Sequence, residues 1–358
     1  MAVLTTPPPA GGRLRRVAEL TPGYFAGVMA TGIVCIGAQL RGFTELAAVL
    51  FWIAVVFYAV LLVLNVWRFV GFRHRMSDDF HDPSRAFGFF TFIAATNVLG
   101  AALVGTGHIG LATTLLTVSV LVWILLGYVV PWTAVLSNRH RPMLDTANGT
   151  WFIWVVASQS ISVVAAGLEQ ALPAHRDYLS ILAIGAWSLG VVLYAACAVF
   201  VALRAMLYPL RPEDLDPPYW VAMGAVAITV VAGARVVEMA DTPMVAVTRG
   251  VTAGLSVMFW SFATWLIPVL VAAGVWRHAL HRIPLRYEPT LWSVVFPLGM
   301  YSVAGMYLGR ANHLPFVEAV GTHWFWVALA AWVLVALGMV RAVVVTVILG
   351  GPARTREP

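Results

Sequence analysis

Ten apolar segments, each long enough to cross a lipid bilayer as a helix, limit most strongly what this chain can fold into. A bilayer core of about 30 Å requires about 20 apolar residues at the rise of an α-helix. Because lipid offers the backbone no hydrogen-bond partner, the segments are expected to be helices. Breaking the apolar runs at charges and turn residues gives spans at 24–40, 46–70, 86–105, 110–136, 149–168, 178–205, 219–237, 247–275, 290–309 and 322–350.

The composition agrees with a membrane protein, since 61% of the residues are hydrophobic and 11% are charged. A soluble domain carries about 25% charged residues. The alternating segments of about ten residues that build a membrane β-barrel do not occur. The sequence therefore predicts an all-α polytopic membrane protein that has the lipid bilayer as its partner. A single transmembrane domain is expected over 23–350, with cytosolic tails at 1–22 and 351–358.

The arginines predict the orientation of the chain. It contains no lysine, so all 22 basic residues are arginines. Cytoplasmic loops of membrane proteins hold an excess of positive charge. With the N-terminus inside, 17 arginines fall on the cytoplasmic side and 5 on the other. We therefore expect a multi-pass protein of the plasma (inner) membrane with both termini in the cytoplasm. The net charge of +6 is explained by topology, and a nucleic-acid partner is not expected.

Short and long spans alternate along the chain. The odd spans average about 19 residues and the even spans about 28. This pattern predicts five tandem helical hairpins, in which the short, glycine-rich odd helices line a central pore and the long helices surround them. Short segments at matching places of a repeat indicate a transport pathway. The alternative is that the boundaries divide interfacial residues unevenly.

Polar side chains inside the odd spans are the first candidates for the pore lining. An amide that faces lipid costs several kcal/mol, so Asn97 and Gln159 are expected to face protein or a water-filled path. Thr31 of the first span is a further candidate. Small residues at four-residue spacing, such as the glycines of these spans, also serve close helix packing.

Phenylalanines near the start of the odd spans are the second group of candidates: Phe25, Phe152, Phe296 and, on the third span, one of Phe87, Phe89, Phe90 and Phe92. A hydrophobic constriction closes a pore by excluding water. Phe296 is favoured as the gate because Pro297 follows it, and a proline kinks a membrane helix. The alternative is an interfacial aromatic belt, although such belts favour tryptophan and tyrosine.

Sequence motifs for catalysis or cofactor binding are absent. The nine histidines are expected in loops or at helix ends, which excludes a haem held at membrane depth, and no metal site or other cofactor is expected. The chain has no P-loop, no dinucleotide fingerprint and no nucleophile elbow. An enzyme is therefore not expected. No acidic residue lies in the middle of a span, and helix dipoles with hydroxyl groups suit anions better than cations.

Three segments resemble the tellurite-resistance/dicarboxylate transporter family, which includes slow anion channels, tellurite-resistance channels, malate permeases and sulfite efflux pumps. They are Pro-Gly-Tyr-Phe-Ala-Gly-Val-Met-Ala-Thr-Gly at 22–32, Trp-Phe-Ile-Trp-Val-Val-Ala-Ser-Gln-Ser at 151–160 and Trp-Ser-Val-Val-Phe-Pro-Leu-Gly-Met-Tyr at 292–301. The resemblance implies quasi-fivefold hairpins around a pore, a homotrimer and a gating phenylalanine, which matches Phe296. It also makes Phe25, Phe92 and Phe152 candidate pore-facing rings.

The expected function is a channel or secondary carrier for a small anionic substrate. The anion is either a C4-dicarboxylate or an inorganic ion such as chloride, nitrate, sulfite or tellurite, and the sequence does not separate a channel from a carrier. The alternative is a membrane scaffold or sensor that transports nothing. Such a protein would be expected to carry a soluble signalling domain, and the segments outside the spans are short.

Overall fold

The computed structural model describes residues 17–136 and 143–345, and this part of the chain is helical and contains no strand. The prediction of ten membrane-spanning helices is confirmed. Each odd helix is followed after a short loop by a longer even helix. The ten spans are α1 (Pro22–Leu40), α2 (Thr44–Gly71), α3 (Ala86–Gly105), α4 (Ile109–Leu136), α5 (Gly149–Glu169), α6 (Pro173–Leu207), α7 (Pro217–Val237), α8 (Pro243–Leu280), α9 (Pro289–Ala311) and α10 (Pro315–Val343).

Several predicted boundaries were wrong. Helix α10 begins at Pro315, seven residues before the predicted start, because proline is well suited to the first turn of a helix. His323 therefore lies inside a helix, where its side chain is exposed. A further helix, Arg73–His81, connects α2 to α3 and was not predicted. The two predicted tails and the predicted end of the last span fall mainly outside the described residues.

Burial separates the odd helices from the even helices. In the most apolar window of each odd helix, 78–89% of the residues are buried, against 6–28% in the even helices. The odd helices are also shorter, at 19–23 residues against 28–38. The protein therefore has an inner layer of short helices and an outer layer of long helices, as the length alternation predicted.

The inner helices form a closed ring. Each odd helix packs against the next one along the chain, and α9 returns to pack against α1. Each even helix packs against the odd helix of its own hairpin and against the following odd helix, with α10 completing the circle on α1. This repeated packing confirms five tandem hairpins arranged around one axis.

Each inner helix begins with one turn of 3-10 helix, and these turns lie together at one end of the ring. A Cβ atom on Gly149 would lie 2.3 Å from the backbone of Pro218, which shows how closely the starts of α5 and α7 approach. We call this end of the ring the amino side and the opposite end the carboxyl side. The turns are Pro22–Phe25, Ala86–Phe89, Gly149–Trp151, Pro217–Trp220 and Pro289–Leu291.

The last hairpin is held by a close crossing of α9 and α10. A Cβ atom on Gly321 would lie 2.6 Å from the backbone nitrogen of Met306 and from the carbonyl oxygen of Ser302. The Ser302 hydroxyl also donates a hydrogen bond of 2.7 Å to the Gly321 carbonyl. Both helices therefore need glycine here to allow backbone contact.

We expect Gly321→Ala to lower the thermal stability of the detergent-solubilised protein, because the added methyl group must push two backbones apart. Overpacking of this kind costs about 1–3 kcal/mol. Gly254→Ala on α8 is the matched control, since nothing lies within 4 Å of a Cβ atom there. Equal melting temperatures of the two variants, measured by tryptophan fluorescence, would contradict the proposed close crossing.

Candidate pore

The amino-side cavity lies where the first turns of the five inner helices meet. It has a volume of about 240 Å³ and is lined by residues from all five inner helices and the segments that precede them. Among the lining residues are Gly23 and Gly88, two small residues that leave the backbone accessible. A helix N-terminus carries a partial positive charge from its unpaired N–H groups. Five such ends around one cavity create a positive potential at this mouth.

A second, larger cavity opens at the carboxyl side of the ring. Its volume is about 560 Å³, and all five inner helices contribute to its lining. Most of the lining is aliphatic, but Asn97, Ser160 and Arg235 add polar groups. The two cavities therefore lie on the same axis, one at each end of the inner ring.

Residues that line the carboxyl-side cavity occupy equivalent positions in the five inner helices, and we call this arrangement the fivefold register. The position eleven residues after the first residue of each inner helix lines the cavity in all five, and we call this set the first cavity layer. The position eighteen residues after the first also lines the cavity in all five helices. The first cavity layer consists of Ile33, Asn97, Ser160, Ile228 and Met300.

The residues four positions before the first cavity layer line neither cavity. Residues four apart lie on the same face of a helix, so these residues continue the cavity-lining face toward the amino side. Every one of them is buried. We call this set the constriction layer, and it consists of Met29, Ile93, Val156, Gly224 and Phe296.

Phe296 has the largest side chain of the constriction layer and is 1% exposed. On α9, Ser293 lines the amino-side cavity and Met300 lines the carboxyl-side cavity. Phe296 is three residues from one and four from the other, so it lies between the two cavities on the same helix face. Pro297 is directed toward α7, where a Cβ atom on Gly224 would lie 2.8 Å from its Cγ.

Three predicted phenylalanines contact outer helices. The rings of Phe25 and Phe92 lie 5.6 and 6.0 Å from the ring of Tyr58 on α2. The ring of Phe152 lies 5.2 Å from that of Tyr194 on α6. None of the three lines either cavity, and none forms a ring contact with Phe296. Their role in the pore stays a prediction.

The three polar candidates also occupy different environments. Thr31 accepts a hydrogen bond of 3.0 Å from the indole of Trp332 on α10. Gln159 donates one of 3.1 Å to the Trp187 carbonyl on α6. Asn97 lines the carboxyl-side cavity and donates a hydrogen bond of 2.9 Å to the Ser160 hydroxyl. Asn97 is therefore the predicted polar residue that the structure places beside an open space.

Each cavity contains one arginine at its edge. Arg85 lines the amino-side cavity, and its Nε lies 3.0 Å from a carboxylate oxygen of Asp79. Arg235 lines the carboxyl-side cavity, 2.8 Å from Glu238, with its guanidinium 5.3 Å from the centre of the Tyr307 ring. No sequence pattern singles out Arg85, because its partner Asp79 lies on the helix Arg73–His81, which was not predicted.

Among residues 17–136 and 143–345, no group of three or more histidine, cysteine or acidic side chains is placed to hold a metal ion. Both cysteines are buried, and the Cys35 thiol donates to the Ala47 carbonyl at 3.2 Å. The described residues of the inner ring form two cavities separated by a short layer of buried apolar residues.

These features define a polytopic membrane protein with a central ring of five helices. Over residues 19–340 the sequence matches the voltage-dependent anion channel family SLAC1. The chain therefore belongs to this family of anion channels and transporters.

Individual relatives support the same assignment. An uncharacterized membrane protein of Mycobacterium tuberculosis is 60% identical over 155 residues, which cover 43% of this chain and 79% of that protein. An uncharacterized transporter of Methanocaldococcus jannaschii is 24% identical over 89% of this chain and 92% of its own length. A sulfite efflux pump of Trichophyton rubrum is 24% identical over 89% of each chain.

Proposed function

We propose that the protein is a gated permeation path for small anions through the axis of the inner ring, with Phe296 as the gate. The observation that carries the proposal is the fivefold register, which aligns two cavities and an apolar constriction on one axis. Sulfite is the first candidate substrate, because a relative that matches most of the chain is a sulfite efflux pump. Chloride, nitrate, tellurite and C4-dicarboxylates are the other members of the test panel.

The electrostatics of the two mouths favour anions. Five helix N-termini favour anions at the amino side, where the cavity lining also includes one arginine, Arg85, and one acidic residue, Asp216. At the carboxyl side the described cavity lining includes Arg235, which is paired with Glu238, and no acidic residue. The constriction layer contains no charged or polar side chain. It therefore resists any ion until the phenylalanine ring moves, whereas the mouths attract anions.

The arginine distribution supports an orientation in which the amino side faces the cytoplasm of a plasma membrane. The exposed apolar residues of the outer helices fit contact with lipid or with other copies of the chain. A homotrimer is the assembly that the resemblance implies, and each copy then contains its own path.

Purified protein in liposomes is expected to conduct anions of the panel and to exclude potassium. The measurement is tracer or stopped-flow flux of sulfite, nitrate, chloride and malate, compared with protein-free liposomes of the same lipid. Repeating it with and without a pH gradient separates passive conduction from proton-coupled transport. If no anion of the panel crosses faster than in protein-free liposomes, the alternative of a non-transporting scaffold or sensor is favoured.

A further inference from the structure

The first cavity layer has one polar edge. Ile33, Ile228 and Met300 are apolar, whereas the two neighbouring helices α3 and α5 contribute Asn97 and Ser160. Both polar side chains are at most 2% exposed, and both line the carboxyl-side cavity. An anion that has passed the constriction layer therefore meets these two groups before any other polar side chain of the register.

Only one of the two polar atoms of the Asn97 amide has a hydrogen-bond partner. Its Nδ2 donates to the Ser160 oxygen, and the Ser160 hydroxyl in turn donates to the Ala157 carbonyl at 2.7 Å. The Oδ1 atom of Asn97 has no hydrogen-bond partner. A buried polar atom without a partner costs about 1–3 kcal/mol. The Oε1 atom of Gln159 also has no partner, but Asn97 differs from Gln159 because it lines a cavity. The adjoining cavity provides the space for a ligand.

Rotation of the amide by 180° would reverse its polarity toward the cavity. The Ser160 hydroxyl can donate as well as accept, so it can turn from the Ala157 carbonyl to Asn97 Oδ1. The Nδ2 group, with its N–H donors, then takes the present place of Oδ1, on the side of the amide away from Ser160. Both orientations keep one hydrogen bond between Asn97 and Ser160, but the rotated orientation leaves both N–H donors of Nδ2 available to an anion.

We propose that Asn97 is an anion-coordinating residue at the carboxyl side of the gate and that Ser160 is the positioning residue that holds the rotated amide. This inference rests on the proposed function, since it names a binding group along the same path. The ligand is a small anion whose lone pairs accept the amide N–H, such as nitrate or chloride. A protonated, neutral form of the same substrate would gain less from this group, because hydrogen bonds to charged partners are stronger.

The test measures the half-saturating nitrate concentration for flux in liposomes. Asn97→Leu keeps the approximate size and removes the donor, so the half-saturating concentration is expected to rise by roughly tenfold or more. Ser160→Ala removes the positioning hydroxyl and is expected to give a smaller rise. The control is Gln159→Leu, which removes a buried amide that lines neither cavity and is expected to leave the value unchanged.

Asn97→Asp supplies a second, independent readout. A carboxylate in this position repels anions, so nitrate flux is expected to fall at neutral pH and to recover as the pH drops and the new carboxyl group becomes protonated. The role of Asn97 is overturned if Asn97→Leu has the same half-saturating nitrate concentration as the wild-type protein. It is also overturned if nitrate flux through Asn97→Asp does not depend on pH. Absence of anion flux in the wild-type protein overturns the proposed function instead, so the two failures are distinguishable.

Discussion

Phe296→Ala is expected to raise anion flux through the protein by about tenfold or more. The substitution removes the largest side chain of the constriction layer and leaves Met29, Ile93, Val156 and Gly224 around a wider opening. A wider apolar constriction holds water more readily and gates less tightly. Lowering the barrier by about 1.4 kcal/mol is enough to raise a rate tenfold. The measurement is chloride or nitrate flux in liposomes, divided by the amount of folded protein.

The control for this prediction is Phe152→Ala. Phe152 is also a buried phenylalanine near the start of an inner helix, but its ring packs against Tyr194 of an outer helix. Truncating either ring in a packed core costs about 3–5 kcal/mol of stability, so both variants suffer a similar loss of packing. Only Phe296→Ala is expected to gain flux. A similar gain in Phe152→Ala would contradict Phe296 as the single gate, because loosened packing or a second pore-facing ring would then account for the flux.

A graded series strengthens the same test. Phe296→Met and Phe296→Val are expected to give fluxes between those of the wild-type protein and Phe296→Ala, in the order of decreasing side-chain size. An order unrelated to size would contradict a steric and hydrophobic gate. The series also separates the gate from the Pro297 kink, because the proline is retained in every variant.

The ten helices and their alternation were predictable because the bilayer imposes a length on each segment. Burial then followed length, since the short helices became the inner ring and the long ones met the lipid side. The start of the tenth span was misjudged because the predicted span began at residue 322, which left Glu318 outside it and placed His323 at its N-terminal end. In the structure both belong to α10, where Glu318 lies in the first turn and pairs with Arg310 at 2.9 Å.

The constriction layer could not be predicted from the sequence. Its five members are a methionine, an isoleucine, a valine, a glycine and a phenylalanine, so no residue type repeats. Their equivalence becomes visible only when the five 3-10 turns at the helix starts are aligned. The polar side chains of Thr31 and Gln159 did not identify the pore lining either. A polar group within a membrane needs a hydrogen-bond partner, and that partner can be a neighbouring helix as well as a water-filled path. The partners they have are Trp332 and the Trp187 carbonyl.

The cluster of charged residues Arg68, Asp79 and Arg85 could not be predicted from the sequence either. Arg68 lies in the last turn of α2 and is 1% exposed, and its guanidinium lies 2.5 Å from the Asp79 carboxylate on the helix Arg73–His81. Arg68 also donates hydrogen bonds to the carbonyls of Ala18 and Arg75. Asp79 contacts Arg85 with its other carboxylate oxygen. One buried carboxylate thus joins α2, the connecting helix and the start of α3 at the amino-side mouth.

Asp79→Ala is expected to destabilise the protein by about 3–5 kcal/mol, because it leaves the Arg68 charge buried without its counter-ion. The effect should appear as a large drop in the melting temperature of the detergent-solubilised protein. Asp241→Ala is the matched control. Asp241 is 78% exposed and pairs with Arg249 at 2.6 Å, and an exposed pair of this kind contributes about 0–1 kcal/mol. Equal losses in the two variants would show that burial does not strengthen the Arg68–Asp79 pair.

A double substitution separates the cost of an unpaired charge from the value of the pair. Arg68→Met with Asp79→Leu replaces both charges by apolar side chains of similar size, and replacing a buried pair in this way is often neutral or stabilising. We therefore expect the double variant to recover most of the stability that Asp79→Ala loses. Arg85 also loses its carboxylate partner in the double variant, so its guanidinium is freed beside the amino-side cavity. A double variant that is stable but altered in anion flux would assign Asp79 a second role, which is to position Arg85 at the mouth.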